Sequence, residues 1–205
     1  IKKYIKKSRK LVLDRIDSEV EPVAFPVSTA RGCAFRCSFC HFVYWHDPYR
    51  YKSPKRIISE IRELQKTFSI NYVSFWDDLS FASLMQVERL CDELIKSKIS
   101  IRWSAAVRAD LFGNDKQPIE KRLRIAKKLR KAGCTMVGFS LESADPEILK
   151  MMNKHIIPEY FTEQVRLLRS VGIKSGTSVV FGYPIETKET IRKTADRRYL
   201  FFQTA

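Results

Sequence analysis

The chain has no run of roughly 18 uninterrupted apolar residues, the length that a membrane-spanning helix requires. It also lacks the apolar core of a secretory leader near its N-terminus. These two absences lead us to expect a soluble, cytoplasmic protein. Evenly paired cysteines are missing as well: there are five, an odd number, and three of them are clustered at positions 33, 37 and 40. That pattern argues against a disulfide framework and for a reducing compartment. Acidic residues are scarce in two places. Residues 1–10 carry six basic side chains and no acid, and residues 120–131 carry seven basic side chains and one acid. With a formal net charge of +15, nucleic acid enters consideration as a partner. Neither basic run is interleaved with the aromatics on which single-strand binders stack bases, so solvated helix faces are the simpler expectation.

What is present is concentrated in Arg31-Gly32-Cys33-Ala34-Phe35-Arg36-Cys37-Ser38-Phe39-Cys40-His41. An apolar, β-branched run (Val23, Phe25, Val27, Thr29) precedes it, so a strand ends and a loop begins. One short loop can aim Cys33, Cys37 and Cys40 at a common centre. Thiolates are soft ligands that suit an iron–sulfur cluster or zinc, and three of them on a four-iron cluster leave one iron open. An open position is what separates a reactive metal site from a structural one. The competing reading is a Cys3His zinc knot that adds His41, although adjacent ligands at 40 and 41 fit a tetrahedron poorly. Cys91, within an amphipathic helix, and Cys134, at the start of a strand, read as small core residues.

The rest alternates strand and helix. Residues 1–21 form a basic lead-in or linker, and 22–205 a single core domain. The chain does not begin with Met and stops soon after a helix-like stretch, so we expect a fragment of a longer protein whose core is cut short at its C-terminal end. After the cysteine loop comes an aromatic segment, 42–46. Ser53-Pro54 opens a helix with Ile57, Ile58, Ile61 and Leu64 on one face. Further strands are expected at 72–76, 101–107, 135–141 and 174–181, the fourth strand nearly all apolar and buried on both faces. Helices are expected from about Ser83, about Ile119, Pro146, Pro158 and Glu186, the last running to about Phe202. Five such units make an α/β fold with a parallel sheet and right-handed crossovers.

The polar residues that stand out fall at the C-terminal ends of these strands: the cysteines after the first, Asp77 and Asp78 after the second, Arg108 after the third, Glu142 after the fourth and Gly182 after the fifth. Parallel barrels gather their chemistry on that rim. Together with Phe39 before the last cysteine, the C-x3-C-x-aromatic-C loop resembles the radical S-adenosylmethionine (SAM) superfamily.

The resemblance implies a partial, TIM-like (β/α)6 barrel, of which this chain supplies about five units. It implies a [4Fe-4S] cluster on Cys33, Cys37 and Cys40 whose open iron chelates SAM, with Phe39 against the adenine. Asp77 or Asp78 would accept from the amino group of SAM, Arg108 would clamp its carboxylate, and Glu142 and Gly182 would meet the ribose or methionine part and the adenine. Arg108 could instead pair with Asp110. The Ser-Thr-Ala-Arg-Gly-Cys loop, the Asp-Asp strand end, Arg108-Ala109-Asp110 and Gly138-Phe139-Ser140-Leu141-Glu142-Ser143 resemble the branch associated with cobalamin-binding domains, which implies methyl transfer or ring formation on a small, natural-product-like substrate. Cobalamin itself would need a domain outside these residues. An electron donor such as flavodoxin or ferredoxin is implied too. The runner-up is a methylthiotransferase acting on tRNA or protein; the alternative from another class is a zinc-stabilised nucleic-acid-binding module.

Overall fold

The computed structural model describes residues 22–40, 47–113 and 116–199. The basic lead-in, His41, the aromatic segment 42–46 and the end of the last helix lie outside the described residues. In chain order the elements are β1 (Ala24–Val27), β2 (Ala30–Arg31), β3 (Arg50–Tyr51), α1 (Pro54–Phe68), β4 (Tyr72–Phe75), α2 (Leu84–Ser97), β5 (Arg102–Arg108), α3 (Ile119–Lys131), β6 (Cys134–Glu142), α4 (Pro146–Met151), α5 (Pro158–Ser170), β7 (Lys174–Val179) and α6 (Lys188–Tyr199).

Local signals account for the helix boundaries. Ser53 caps α1 by accepting from the Arg56 amide, Pro54 occupies its first turn, and Ile57, Ile58 and Ile61 form its buried stripe. Ser83 caps α2 in the same way, with Leu84, Val87, Leu90, Cys91 and Leu94 turned inward. Asp145 caps the short α4 by accepting from the amides of Glu147 and Ile148. Beyond α3, Gly133 sits at φ +94°, and a Cβ there would lie 2.1 Å from the Ile101 carbonyl oxygen, so no other residue fits.

The sheet is wholly parallel with strand order β1-β4-β5-β6-β7. Neighbours in space are neighbours along the chain, so right-handed crossovers put the helices on one face only. Val73, Phe75, Trp103, Val107, Val137, Phe139 and Leu141 point into that helical layer. Trp103 is fully buried among Phe75 and Phe81, and its indole N–H donates to the Ala132 carbonyl at 2.8 Å. Side chains of this size contribute about 1.5–3 kcal/mol each when fully buried.

The opposite, concave face is lined by Ser74, Ser104, Ala106, Met136, Gly138 and Ser140, all but Ser104 only partly buried. Here β6 departs from the expected strand buried on both faces. Every second residue from Met136 to Ser140 is half-exposed, because no helix covers that side. The result is an α/β half-barrel, a partial TIM-like barrel of five strands with an open lumen.

The basic helix α3 is also less free than its composition suggests. Arg122 is buried, donating to the Phe112 carbonyl at 3.0 Å and pairing with Glu163 at 2.7 Å. Lys128 pairs with Glu88 and Asp92 on α2, and Arg124 joins it on Glu88. These three acids do not cancel the run, but they commit part of its charge to packing rather than to a partner.

Candidate functional site

The cysteine loop starts from a strand end held by a single carboxylate. Asp77, just beyond β4, accepts from the Ser28 hydroxyl (2.9 Å), the Thr29 amide (2.9 Å), the Thr29 hydroxyl (2.6 Å) and the Ala30 amide (3.1 Å). Both of its oxygens are thereby taken up by the segment that leads into Cys33. Next, Ala30 and Arg31 pair antiparallel with Tyr51 and Arg50, which returns the chain alongside itself. Gly32 makes that return possible: its φ is +71°, and a Cβ would meet the carbonyl oxygens of Pro48 and Asp47 at 2.6 and 2.7 Å.

The far end of the loop is tied across the rim. The Ser38 amide donates to Met152 and its hydroxyl to Met151, both at 2.9 Å, beyond or at the end of α4. Asn153 donates to the Arg36 carbonyl at 2.7 Å, and the hydroxyls of Ser38 and Tyr183 stand 3.0 Å apart. Cys33, Cys37 and Cys40 are all partly exposed on this loop.

Two buried cations lie beneath it. Arg108, at the end of β5, donates from Nε to Asp110 at 3.0 Å and from Nη2 to the Lys154 carbonyl, and its guanidinium lies 4.1 Å from the Phe35 ring centroid. Lys154 pairs with Glu142 at 3.1 Å, with side chains 4% and 8% exposed, and its ammonium stands 5.7 Å from the Phe39 ring centroid. Burial lowers the Lys154 pKa from its usual value, and Glu142 opposes that shift. Burial raises the Cys33 and Cys37 thiols. Lys154 and Arg108 pull Cys37 back toward the thiolate, while Asp78 pushes Cys33 further up and Arg108 pulls it down.

Glu142 adopts φ +67°, at a register irregularity in β6. A non-glycine residue in that region costs on the order of 1–3 kcal/mol, which the surroundings must offset. Sequence reasoning singled out Glu142 but missed Lys154, which sits in the pattern-free connection between α4 and α5.

Asp78 borders a cavity of about 370 Å³ in the lumen, together with Ser74, Trp76, Asp77, Ser104, Ala106, Met136 and Gly138. Trp76 is 74% exposed at its mouth. Gly182, at φ +90°, donates its amide to Glu186 at 2.6 Å, and nothing lies within 4 Å of where a Cβ would be. Phe39 is 38% exposed. A larger hollow of about 580 Å³ lies at the other end of the sheet, lined by Asn71, Lys98, Ser100, Arg102 and Lys131. It adjoins the N-terminal ends of the strands, at the opposite end from the cysteine loop.

The donor set fits a cluster. Among the described residues no three His, Cys, Asp or Glu side chains converge as ligands of one metal ion would. In a cubane each sulfur takes its own iron, so a cluster does not require the three thiols to meet at one point. Flanking cations would offset the negative charge of a thiolate-bound cluster.

A parallel half-barrel that carries three thiols on its C-terminal rim, beside an open lumen, is the architecture of a metal-cluster enzyme core. Residues 27–197 match the radical SAM superfamily. An anaerobic magnesium-protoporphyrin IX monomethyl ester cyclase of Rubrivivax gelatinosus is 32% identical over 173 residues, covering 84% of this chain and 30% of that protein. The chain therefore belongs to the radical SAM superfamily, whose members use a [4Fe-4S] cluster and SAM. It is also similar to an uncharacterised methyltransferase of Pyrococcus horikoshii, 29% identical across 90% of this chain and 38% of that protein.

In fold it is similar to the cobalamin-dependent radical SAM enzyme OxsB with aqua-cobalamin and SAM bound: TM-score 0.72, 22% identity, 85% of this chain and 26% of that one. The radical SAM methyltransferase TsrM of Kitasatospora setae matches at TM-score 0.70 and 22% identity, over 86% of this chain and 34% of that one. The chain spans between about a quarter and two fifths of these proteins. Among the described residues no helix is long and apolar enough to cross a membrane.

Proposed function

We propose that Cys33, Cys37 and Cys40 hold a [4Fe-4S] cluster and that SAM lies beside it at the mouth of the lumen. The observation that carries this reading is the seating of the three-thiol loop: it is fixed at both ends on the rim, with two buried cations beneath it and a carboxylate-bordered cavity next to it. Bound there, the cluster supplies one electron for the cleavage of SAM to methionine and a 5′-deoxyadenosyl radical.

The residues around it divide the remaining work. Asp77 is spent on the loop, and Asp78, which borders the cavity, is the acceptor for the amino group of SAM. Arg108 and Lys154 provide the positive charge that its carboxylate requires. Glu142 holds Lys154 in place and borders the ribose or methionine side. Phe39 offers an apolar face to the adenine, and the open space at Gly182 lets the backbone approach it. The lumen beyond, lined by small side chains and by Trp76, receives an organic substrate.

For the parent protein we propose methyl transfer or ring formation on a small molecule, with cobalamin held by a further domain and a flavodoxin- or ferredoxin-type one-electron donor, in the cytoplasm. The pairing of α3 with acids on α2 and α5 weighs against a tRNA-directed methylthiotransferase or a nucleic-acid module. The test is anaerobic reconstitution with iron and sulfide, followed by reduction in the presence of SAM. About four irons and four sulfides per chain, with release of 5′-deoxyadenosine, is the expected result, and Cys37→Ala should abolish both. Tight stoichiometric zinc without iron uptake would refute the assignment.

A further inference from the structure

Each of the two aromatic residues that separate the three thiols rests on a buried cation. Phe35, between Cys33 and Cys37, lies on Arg108; Phe39, between Cys37 and Cys40, lies near Lys154. Arg108 is the more firmly held. Its side chain is 10% exposed, Asp110 binds one edge, the Lys154 carbonyl another, and the Phe35 ring covers a face. A guanidinium gripped on three sides cannot swing away when the charge beside it changes. Its acid partner is the wetter member of the pair, at 25% exposure, so water screens Asp110 more than it screens Arg108. The field left on the buried side, toward the cysteine loop, is positive. Phe35, on whose ring the guanidinium lies, stands two residues from Cys33 and two from Cys37, so that charge is held close to both.

We propose that Arg108 is a positioning residue for the cluster, whose fixed charge holds the reduction potential of that cluster higher than the cysteine loop alone would. The inference rests on Cys33, Cys37 and Cys40 being the ligands. Uptake of one electron from an external donor adds one negative charge to the cluster and changes no bond to the protein. A cation at fixed distance stabilises that added charge, and because the Arg108 side chain is only 10% exposed the gain is screened less than between two surface charges. The Phe35 contact sets the distance; the charge sets the potential.

The test is a redox titration of the anaerobically reconstituted chain without SAM, followed by electron paramagnetic resonance with dithionite as reductant. Arg108→Gln should lower the reduced-to-oxidised ratio at a given potential about tenfold, a midpoint ~59 mV lower for one electron. Arg108→Lys keeps the charge and should stay nearer the wild type. Asp110→Asn leaves the guanidinium uncompensated and should move the midpoint upward. Unchanged midpoints in Arg108→Gln and Asp110→Asn, with normal cluster content, overturn the proposal. If Arg108→Gln takes up no cluster, Asp110→Asn decides alone: an upward shift supports the proposal and none refutes it. A wild-type chain that assembles no cysteine-dependent cluster overturns the ligand assignment, and this inference with it.

Discussion

Replacing Asp77 separates a structural carboxylate from a ligand-binding one. Its oxygens serve two backbone amides and two hydroxyls between Ser28 and Ala30. The hydroxyls have other outlets, since Thr29 also reaches the Ser80 carbonyl at 3.2 Å and Ser28 the Ala30 carbonyl at 2.9 Å. The amides have none of that freedom, and they belong to residues that are 0% and 3% exposed. A buried donor left without a partner costs roughly 1–3 kcal/mol, so Asp77→Ala should destabilise the apo chain by about 2–5 kcal/mol. Asp77→Asn keeps an acceptor for both amides and should cost about 1 kcal/mol. At about 2–4 °C per kcal/mol for a domain of this size, the alanine variant should melt roughly 10 °C lower. Urea unfolding followed by circular dichroism measures both variants. The iron bound after reconstitution should fall in the same order, because the braced segment runs straight into Cys33. An alanine cost below about 1 kcal/mol, or an asparagine variant as damaged as alanine, would show that this brace does not support the loop.

Gly32→Ala should also damage the loop. The backbone conformation alone costs about 1–2 kcal/mol for a residue with a Cβ, and the new methyl would drive the 47–48 segment outward. Faster limited proteolysis near residues 47–52 and reduced iron uptake are the readouts, and wild-type uptake would contradict the contact. On the helical face, Lys128 and Arg124 hold the Glu88 carboxyl below its usual pKa. Its stabilising contribution is therefore present above about pH 4.5 and disappears as the pH falls through the lowered folded value. Glu88→Gln should cost about 0.5–1 kcal/mol at pH 7, less at high salt, and progressively less as the pH falls below about 4.5. A cost independent of pH would show that the pairing is not electrostatic.

The cysteine spacing, the capped helices and the run of polar residues at strand ends were legible because each is a local pattern. What escaped depends on distance along the chain. The bond partners of Asp77 lie 47 to 49 positions away, so nothing around Asp77-Asp78 tells which carboxylate is spent on the backbone. Lys154 meets Glu142 across 12 positions that include a whole helix, and its own surroundings carry no period. The two-residue ladder of β2 with β3 is too short for alternation to register. In β6 the signal was present, as Gly138 and Ser140 at alternate positions, but the apolar residues between them dominated the reading. Arg122 looked like one more surface cation until Glu163 and the Phe112 carbonyl were brought to it by folding.

The bonds from Ser38 to Met151 and Met152, from Asn153 to Arg36 and between Ser38 and Tyr183 make the cysteine loop a tie-rod across an arch. The loop leaves β1, one leg of the curved sheet, and is fastened beside β6 and β7, the other leg, although the outermost strands do not pair with each other. Curvature of the sheet and alignment of the sulfurs thus form one mechanical quantity. A strain that spreads the legs must also pull the metal seat out of shape.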